Sequence, residues 1–120
     1  MYESKIYIVA PTEQYSRDAG KCFAEIIAVF NLGSVHTLID INERYGPTNY
    51  YVYADDGDTR VMYDMYGEEL RELTVDQLIL ELSIHMTVTF NNRVSVLLST
   101  LRDIRELYDD NTILCLHYGY

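Results

Sequence analysis

Carboxylates and phenol rings are concentrated in the middle third of this chain. Residues 40–81 hold eleven Asp or Glu side chains and three arginines, a net charge of −8 out of −10 for the 120-residue chain. Paired carboxylates can perform acid–base hydrolysis when one of them has a raised pKa in a cleft. They are so abundant here that their presence indicates no particular reaction. Charge concentrated in this way instead sets up a local field that selects approaching partners by their charge.

Six tyrosines lie in the same acidic segment: Tyr45, Tyr50, Tyr51, Tyr53, Tyr63 and Tyr66. Tyrosine has an apolar body, a polar tip and few rotatable bonds, and it is common at protein interfaces. Because acids alone would indicate only solubility, their combination with tyrosines favours a contact surface. The alternative interpretation is a solvated surface that merely keeps the domain soluble.

A hairpin from Asn49 to Asp64 is expected to present this surface. Asp56-Gly57 suits a two-residue turn whose central residues need positive φ, and that register pairs Tyr53 with Arg60. Side chains alternate along a strand, so the two faces differ. The face suited to a core carries Tyr50, Val52, Ala54, Thr59, Val61 and Tyr63. The other, acidic and aromatic face carries Asn49, Tyr51, Tyr53, Asp55, Asp58, Arg60, Met62 and Asp64.

The charge of the segment is comparable with that of nucleic acid. A seven-residue hairpin spans about 23 Å, and duplex DNA of that length carries about 14 charges. A net charge of −8 is within a factor of two of that number, so the face could compete for the Lys and Arg groove of a nucleic-acid enzyme. The candidate partner-binding residues are Tyr51, Tyr53, Asp55, Asp56, Asp58, Asp64, Glu68, Glu69 and Glu72.

Motifs for a metal or a nucleophile are incomplete. Cys115 and His117 lie two apart and would share one face of a strand, yet no second close pair completes a ligand set. The Asp55–Asp58 turn lacks the calcium-loop spacing, since Val52 stands where an acid is required. We therefore expect no catalytic residue, no cofactor and no metal.

Length and composition predict one globular domain over residues 1–120. The chain is 48% apolar and 23% charged. Direct binding of nucleic acid is not expected, because phosphate contacts require Lys and Arg and the chain has only two lysines. Cys22 and Cys115 are too few for a disulfide framework, so free thiols in a reducing cytoplasm are expected. No apolar stretch approaches about 18 residues, so no membrane span is predicted.

The pattern of apolar residues predicts an α+β or open α/β domain, with a mixed sheet of about five strands, a central hairpin and about three helices. Residues 68–73 fit either a short strand or a helical turn, and Val35–Ile41 fits a strand or a helix of similar length. The predicted elements are a strand at Lys5–Ala10 ended by Pro11, a helix from Glu13 to about Phe30, a strand at Val35–Ile41, the hairpin, a helix from the Thr74/Gln77 capping box to about Met86, a helix at Asn92–Tyr108 and a strand at Thr112–Tyr118.

In composition the chain resembles small acidic inhibitors encoded by bacteriophages and other mobile elements, including anti-CRISPR and anti-restriction DNA mimics. The resemblance rests on size, on Asp55-Asp56-Gly57-Asp58, on the pair Glu68-Glu69 and on the neighbouring tyrosines. It implies a stoichiometric inhibitor that is no enzyme. Such a protein would act in the host cytoplasm by occupying the nucleic-acid site of a host nuclease or defence complex.

Two other functions are compatible with the sequence. A small α/β enzyme or nucleotide-binding domain would have its site near Thr12, Tyr15 and Arg17, at the end of the first strand. The loop there has no glycine, however, and Glu13 puts negative charge where a phosphate would bind. The second alternative is a homo-oligomeric module, such as a homodimer, that buries its tyrosines in a self-interface.

Overall fold

Two long N-terminal strands and two C-terminal helices form most of the structure. The computed structural model describes residues 4–33, 41–85, 92–108 and 112–119. The strands are β1 (Ser4–Ser16), β2 (Lys21–Gly33), β3 (Tyr50–Tyr53), β4 (Arg60–Val61), β5 (Arg71–Thr74) and β6 (Leu114–Gly119). The helices are α1 (Ile41–Arg44), α2 (Val75–His85) and α3 (Asn92–Leu107).

The six strands of the described residues form one mixed sheet in the order β4-β3-β2-β1-β6-β5. β2 and β3 are parallel, and the other neighbouring strands are antiparallel. The predicted α+β single domain with a mixed sheet and a hairpin is therefore confirmed, with six strands where about five were expected. The short ambiguous segment before α2 is the edge strand β5.

The helix predicted from Glu13 to about Phe30 is wrong, because this stretch is the end of β1, a turn and β2. The turn closes through the Gly20 amide, which donates to the Ser16 carbonyl at 2.8 Å, and Gly20 has φ +68°. Apolar residues of this stretch recur at a spacing that suits either element, and several of them are β-branched or aromatic, which favours strands. The stretch forms a strand and not a helix because β1 is a long antiparallel partner with matching register.

Pro11 does not end the first strand. It pairs with Ala24 of β2, whereas the pairing of β1 with β6 ends at Val9. Beyond Val9, β1 is therefore an edge strand on that side, and an edge tolerates a residue without an amide hydrogen. The predicted strand Val35–Ile41 lies outside the described residues except for Ile41, which begins α1.

The C-terminal half follows the predicted pattern closely. The Thr74 amide donates to Gln77 Oε1 at 2.9 Å, and the Gln77 amide donates to Thr74 Oγ1 at 3.1 Å, which is the reciprocal capping box that starts α2. α3 ends one residue before the predicted end, and β6 lies inside the sheet between β1 and β5. No helix in the described part of the chain is long and apolar enough to cross a membrane.

One face of the sheet is covered by helices. Ile6 and Ile8 of β1 point to this face and pack with α2 and α3. The side chains of this core with almost no exposure include Ile6, Ile8, Leu73, Leu78, Leu82, Leu97 and Leu101.

The opposite face is covered by the sheet itself. Tyr7 and Val9 alternate with Ile6 and Ile8 and are also buried. The second core, which we call the inner cluster, has six buried members, none of them on a helix: Tyr7, Val9, Ala24, Val52, Leu70 and Leu116. Because these residues come from both halves of the sheet, the sheet must curl around them.

The chain between β4 and β5 joins the two edges of the curled sheet. Tyr63 forms an antiparallel bridge with Glu69, and the Leu70 amide donates to the Met62 carbonyl at 3.4 Å. These contacts extend β4 toward the beginning of β5, which is the strand at the other end of the sheet order. The curl therefore brings the edges together and places Leu70 in the inner cluster.

Lys21 fastens the start of β2 to this closure. Its Nζ donates to the Thr48 carbonyl at 2.7 Å and lies 3.3 Å from Glu69 Oε1, with the side chain only 12% exposed. The amide of the next residue, Cys22, donates to the Asn49 carbonyl at 3.1 Å. A largely buried ammonium needs such partners, because desolvation without them is costly.

Because the two edges of the sheet meet at this segment, Leu70 is a core residue although it precedes a short edge strand. Leu70→Ala should lower the free energy of unfolding by about 2–5 kcal/mol, because it opens a cavity in the inner cluster. Leu80→Ala is the matched control, since Leu80 is 58% exposed and Leu70 is 0% exposed. We expect Leu80→Ala to change the free energy by about 0.5 kcal/mol or less. Urea unfolding followed by circular dichroism measures both, and equal effects would contradict the curled arrangement.

Candidate functional site

The tip of the β3–β4 hairpin is a four-residue loop, Asp55–Asp58. The register is as predicted, with Val52 opposite Val61 and Tyr53 opposite Arg60. The predicted two-residue turn is wrong, however: the Ala54 amide donates to the Thr59 carbonyl at 2.8 Å, and the pairing stops there.

Backbone geometry explains the larger loop. Gly57 has φ +76°, whereas no described residue other than glycine has positive φ. The two-residue turn would have required positive φ at Asp56 as well, and an ordinary L-residue resists that conformation. The loop instead makes a turn in which the Gly57 amide donates to the Ala54 carbonyl at 2.9 Å.

Asp56 organises this loop. Its Oδ1 accepts from the amides of Asp58 and Thr59, both at 2.9 Å, and its Oδ2 accepts from Thr59 Oγ1 at 2.6 Å. These hydrogen bonds, with that from the Thr59 hydroxyl the strongest, hold the pKa of Asp56 below its usual range. Asp56 therefore stays ionised and has a structural role in addition to its charge.

Asp55 and Asp58 have no such internal role. Both are exposed, and no Lys or Arg in the described residues forms an ion pair with either of them. The loop thus presents three carboxylates, two of which are available to an external partner. We call Asp55–Asp58 the acidic tip.

Tyr51 is buried, which corrects the prediction that it lies on an exposed face. It is 5% exposed, and its ring lies 5.8 Å from that of Phe23 and 5.6 Å, edge to face, from that of Tyr53. The Arg60 guanidinium lies over the same ring, 5.4 Å from its centroid. Burial, with a hydrogen bond to Tyr53, raises the pKa of Tyr51. Phe23, predicted on a helix, is the residue of β2 that covers it.

Tyr53 remains accessible at the border of this aromatic cluster. It is partly exposed, and its ring packs 5.4 Å from that of Phe23. Because Tyr53 lies two residues before the acidic tip, it is the tyrosine of the predicted set that is best placed beside the tip carboxylates.

The other predicted carboxylates are engaged within the protein. Asp64 is buried, and its Oδ1 accepts from the amides of Tyr66 and Glu68 at 2.8 and 3.0 Å. The remaining three have side-chain partners: Glu68 lies 3.7 Å from Arg71, Glu69 lies 3.3 Å from Lys21, and Glu72 accepts from Thr48 Oγ1 at 2.9 Å.

Apart from the buried Tyr51, the predicted site residues therefore form two groups of four. The first surrounds the acidic tip, and the second surrounds the Asp64–Gly67 turn at the other end of the extended β4 segment. Five residue steps separate Thr59 from Asp64, or about 17 Å along a strand. The structure brings Tyr53, Asp55, Asp56 and Asp58 together and keeps Asp64, Glu68, Glu69 and Glu72 apart from them.

Glu81 is a further acid of residues 40–81 that is hydrogen-bonded within the protein. It is buried, and its Oε1 accepts from Arg44 Nη1 at 3.0 Å and from the Tyr45 hydroxyl at 2.9 Å. Burial and the hydrogen bond to Glu81 raise the pKa of Tyr45. Glu81 lies three residues after the buried Leu78, at the border of the apolar stripe of α2, but residue types alone gave no signal that Arg44 and Tyr45 would reach it.

Cys115 and His117 share one face of β6, as predicted, and both are buried. Burial raises the pKa of the Cys115 thiol to about 12, so it stays protonated at neutral pH. His117 Nε2 lies 3.0 Å from Ser4 Oγ, and burial, together with Arg71, lowers the pKa of His117 to about 4. Neither group is poised for chemistry with an external substrate.

Metal ligands are not clustered in the described residues, where no group of three or more His, Cys, Asp or Glu side chains could hold an ion. Cys22, the other cysteine, is a partly exposed free thiol. No family model, no curated protein and no solved structure matches this chain.

The buried imidazole predicts a pH-dependent stability. Because the folded pKa of about 4 lies below the ordinary 6.5, the stabilisation is complete above pH 6.5 and is lost as the pH falls toward 4. Between these pH values the unfolded chain binds a proton at His117 and the folded protein does not. The free energy of unfolding should therefore fall by about 1.4 kcal/mol per pH unit and by about 3 kcal/mol in total.

Urea unfolding of the wild-type protein and of His117→Asn at intervals between pH 7.5 and 4.5 measures this effect. The variant should be less stable at pH 7.5 and should lack the one-proton slope between pH 6.5 and 5. Carboxylates contribute equally to both proteins, so the difference isolates the histidine. Parallel curves would show that His117 titrates normally.

Proposed function

We propose that this chain is a stoichiometric protein-binding inhibitor that inserts its acidic tip into the basic nucleic-acid-binding groove of a partner protein. The observation that carries the proposal is the exposure of Asp55 and Asp58 on an ordered loop, with no cationic partner for either in the described residues. A carboxylate that is already ionised and solvated is attracted to Lys and Arg without first breaking an internal pair.

Order in the loop supports affinity. The three hydrogen bonds that Asp56 accepts fix the path of the backbone before binding. Association then loses less conformational entropy than it would with a mobile acidic loop. Asp56 thus contributes to binding indirectly, because it fixes the positions of Asp55 and Asp58.

The charge density of the tip matches a single nucleic-acid strand better than a duplex. Four residues span at most about 13 Å, and one DNA strand has about four phosphates over that length. Three tip carboxylates are close to that number. We therefore propose that the acidic tip imitates a short stretch of phosphates. The earlier expectation was that the whole hairpin imitates a duplex.

The other acids of the predicted set contribute to the electrostatic field around the protein and not to direct contacts with the partner. Glu69 and Glu72 are hydrogen-bonded within the protein, Glu68 lies 3.7 Å from Arg71, and all three lie at the other end of the extended β4 segment. Together with the net charge of −10, they accelerate the approach of a basic partner and repel nucleic acid. Tyr53 supplies an aromatic contact beside the tip, and Tyr51 holds it in place.

Partners of this kind include the host nucleases and defence complexes that small phage-encoded acidic proteins inhibit, in the cytoplasm of the host. The alternative of a nucleotide-binding enzyme relied on a helix after the first predicted strand. In the structure β1 continues through that segment to Ser16. Thr12 Oγ1 donates to the Phe23 carbonyl at 2.6 Å within the β1–β2 hairpin, so this side chain does not face a ligand loop.

Self-association is the second candidate function, and one observation favours it. Tyr63, Met65 and Tyr66 are all between 42% and 54% exposed and lie close together along the chain. Such a group of large apolar side chains can form part of an interface between two copies. A homodimer is also compatible with inhibition, since the acidic tip lies on a different turn.

The tip proposal predicts a selective effect of neutralising two carboxylates. Asp55→Asn combined with Asp58→Asn should weaken binding of the captured partner by tenfold or more, if each buried charged hydrogen bond contributes about 1.5–3 kcal/mol. Asp56 is left unchanged, so that the loop keeps its shape. The control is Asp103→Asn combined with Glu106→Gln, which removes the same charge from exposed positions on α3.

The measurement starts with capture of partners from a bacterial lysate on the immobilised wild-type protein. A captured protein supports the proposal if salt releases it and if equimolar inhibitor displaces its labelled oligonucleotide. The tip variant should fail in that displacement and the α3 variant should succeed. A partner that keeps its oligonucleotide, or that binds both variants equally, would reject the acidic tip as the inhibitory element.

A further inference from the structure

The second half of β2 is an edge of the sheet. In the part of the chain that the structure describes, β3 pairs with β2 only at Cys22 and Phe23, and no other described strand lies on that side. The side chains beyond this point reach solvent: Ile27 is 52% exposed, Val29 is 45% exposed, and Glu25 is also exposed. An edge of this kind presents backbone amides and carbonyls to which another strand can bond.

The direction of the backbone groups along this edge follows from the pairing with β1. In an antiparallel pair, successive residues point their amide and carbonyl alternately toward the partner strand and away from it. The Cys22 amide points away from β1, since it donates to the Asn49 carbonyl at 3.1 Å. The Asn31 carbonyl also points away, since it accepts from Arg93 Nη1 of α3 at 3.3 Å. Cys22 and Asn31 are an odd number of positions apart, so the strand between them contains one extra residue.

Ile27 is that extra residue. The register with β1 skips one position between Ile26 and Ala28, which makes Ile27 a β-bulge. Alternation on either side of the bulge then makes Ile26 and Val29 the residues whose backbone groups face the open edge. These two residues are equally distant from the midpoint between Ile27 and Ala28. The edge is therefore complementary to itself under a two-fold rotation.

We propose that this edge of β2 binds the same edge of a second copy of the chain, antiparallel, about a two-fold axis between Ile27 and Ala28. Ile26 of each copy then lies opposite Val29 of the other, and each of these two pairs exchanges two backbone hydrogen bonds. The bulge lies between the two pairs and interrupts neither. The contact does not use the acidic tip, so it can fail without affecting the inhibitor proposal.

Side-chain directions agree with this register. Ile26 packs against the inner cluster, and Val29 lies opposite Tyr7 of that cluster, so both members of the pair are on one face of the sheet. The neighbouring pair, Glu25 and Phe30, lies on the helix-covered face. Cross-strand neighbours on the same face can pack, which is what a stable pairing of strands requires.

Charge is compatible with a second copy at this place, although the chain is acidic. Glu25 is the one charged residue of residues 24–31, and the chain has a net charge of −10. In the proposed register the two Glu25 carboxylates are five residue steps apart, or about 17 Å, which exceeds the Debye length of about 8 Å. Each Glu25 also approaches Asn31 of the other copy, where Arg93 lies. That attraction acts whatever other contacts Arg93 makes.

Sedimentation equilibrium of the wild-type protein from micromolar to millimolar concentration tests the proposal. The mass should rise from 14.0 kDa toward twice that value. Ile27→Glu should weaken the association by about tenfold or more, because it places two carboxylates beside the two-fold axis. Ile84→Glu is the control, since Ile84 of α2 is 53% exposed and the change in charge is the same. A mass of 14.0 kDa at every concentration would leave the edge to another occupant and would overturn the proposal.

Amide hydrogen exchange of the wild-type protein then locates the contact without any substitution. The amides of Ile26 and Val29 should exchange more slowly at millimolar than at micromolar concentration, whereas that of Ala28, which faces β1, should not change. Association that leaves Ile26 and Val29 unprotected would place the contact elsewhere and reject the edge. Association that is lost in Met65→Glu but kept in Ile27→Glu would assign it to the exposed turn of Met65 and would equally reject the edge.

Discussion

Four consecutive residues of β1, from Ile6 to Val9, are buried, and they point alternately to the two faces of the sheet. Both faces must therefore be kept from water. α2 and α3 cover the face of Ile6 and Ile8, whereas the described residues that cover the face of Tyr7 and Val9 come from other strands and, at Leu70, from the segment before β5. In the described residues no helix contributes to the cluster on the second side, and the sheet buries that side by curling onto itself, which determines much of the remaining architecture.

The curl determines which charged groups are left for function. Closing the sheet brings the segment just before β5 next to the start of β2, where Lys21 pairs with Glu69. Carboxylates near this closure become hydrogen-bond acceptors of the fold. The tip of the β3–β4 hairpin lies at the other end, so its carboxylates stay in solvent.

Local signals in the sequence predicted much of this fold. The capping box of Thr74 and Gln77, the apolar stripe of α3 and the hairpin register at Val52 and Val61 were all predictable, because each depends on residues close together in the chain. β2 was not predictable in this way, since its residues satisfy a helical period as well as a strand, and pairing with β1 decided the outcome.

The candidate site was predictable only in part, for the same reason. The exposure of Asp55, Asp56 and Asp58 follows from a local turn. The burial of Tyr51 depends on Phe23, and the pairing of Glu69 depends on Lys21, both of which lie in the strand that the sequence assigned to a helix. Long-range contacts thus divided a continuous acidic segment into bonded and accessible groups.

The central claim is that this division makes the acidic tip the accessible anionic surface of the hairpin. Titration of ¹⁵N-labelled protein with a short lysine oligomer, followed by amide chemical shifts, tests it directly. The account predicts the largest shifts at residues 54–59 and much smaller ones at residues 64–72. Equal shifts in the two groups, or larger ones at residues 64–72, would contradict it.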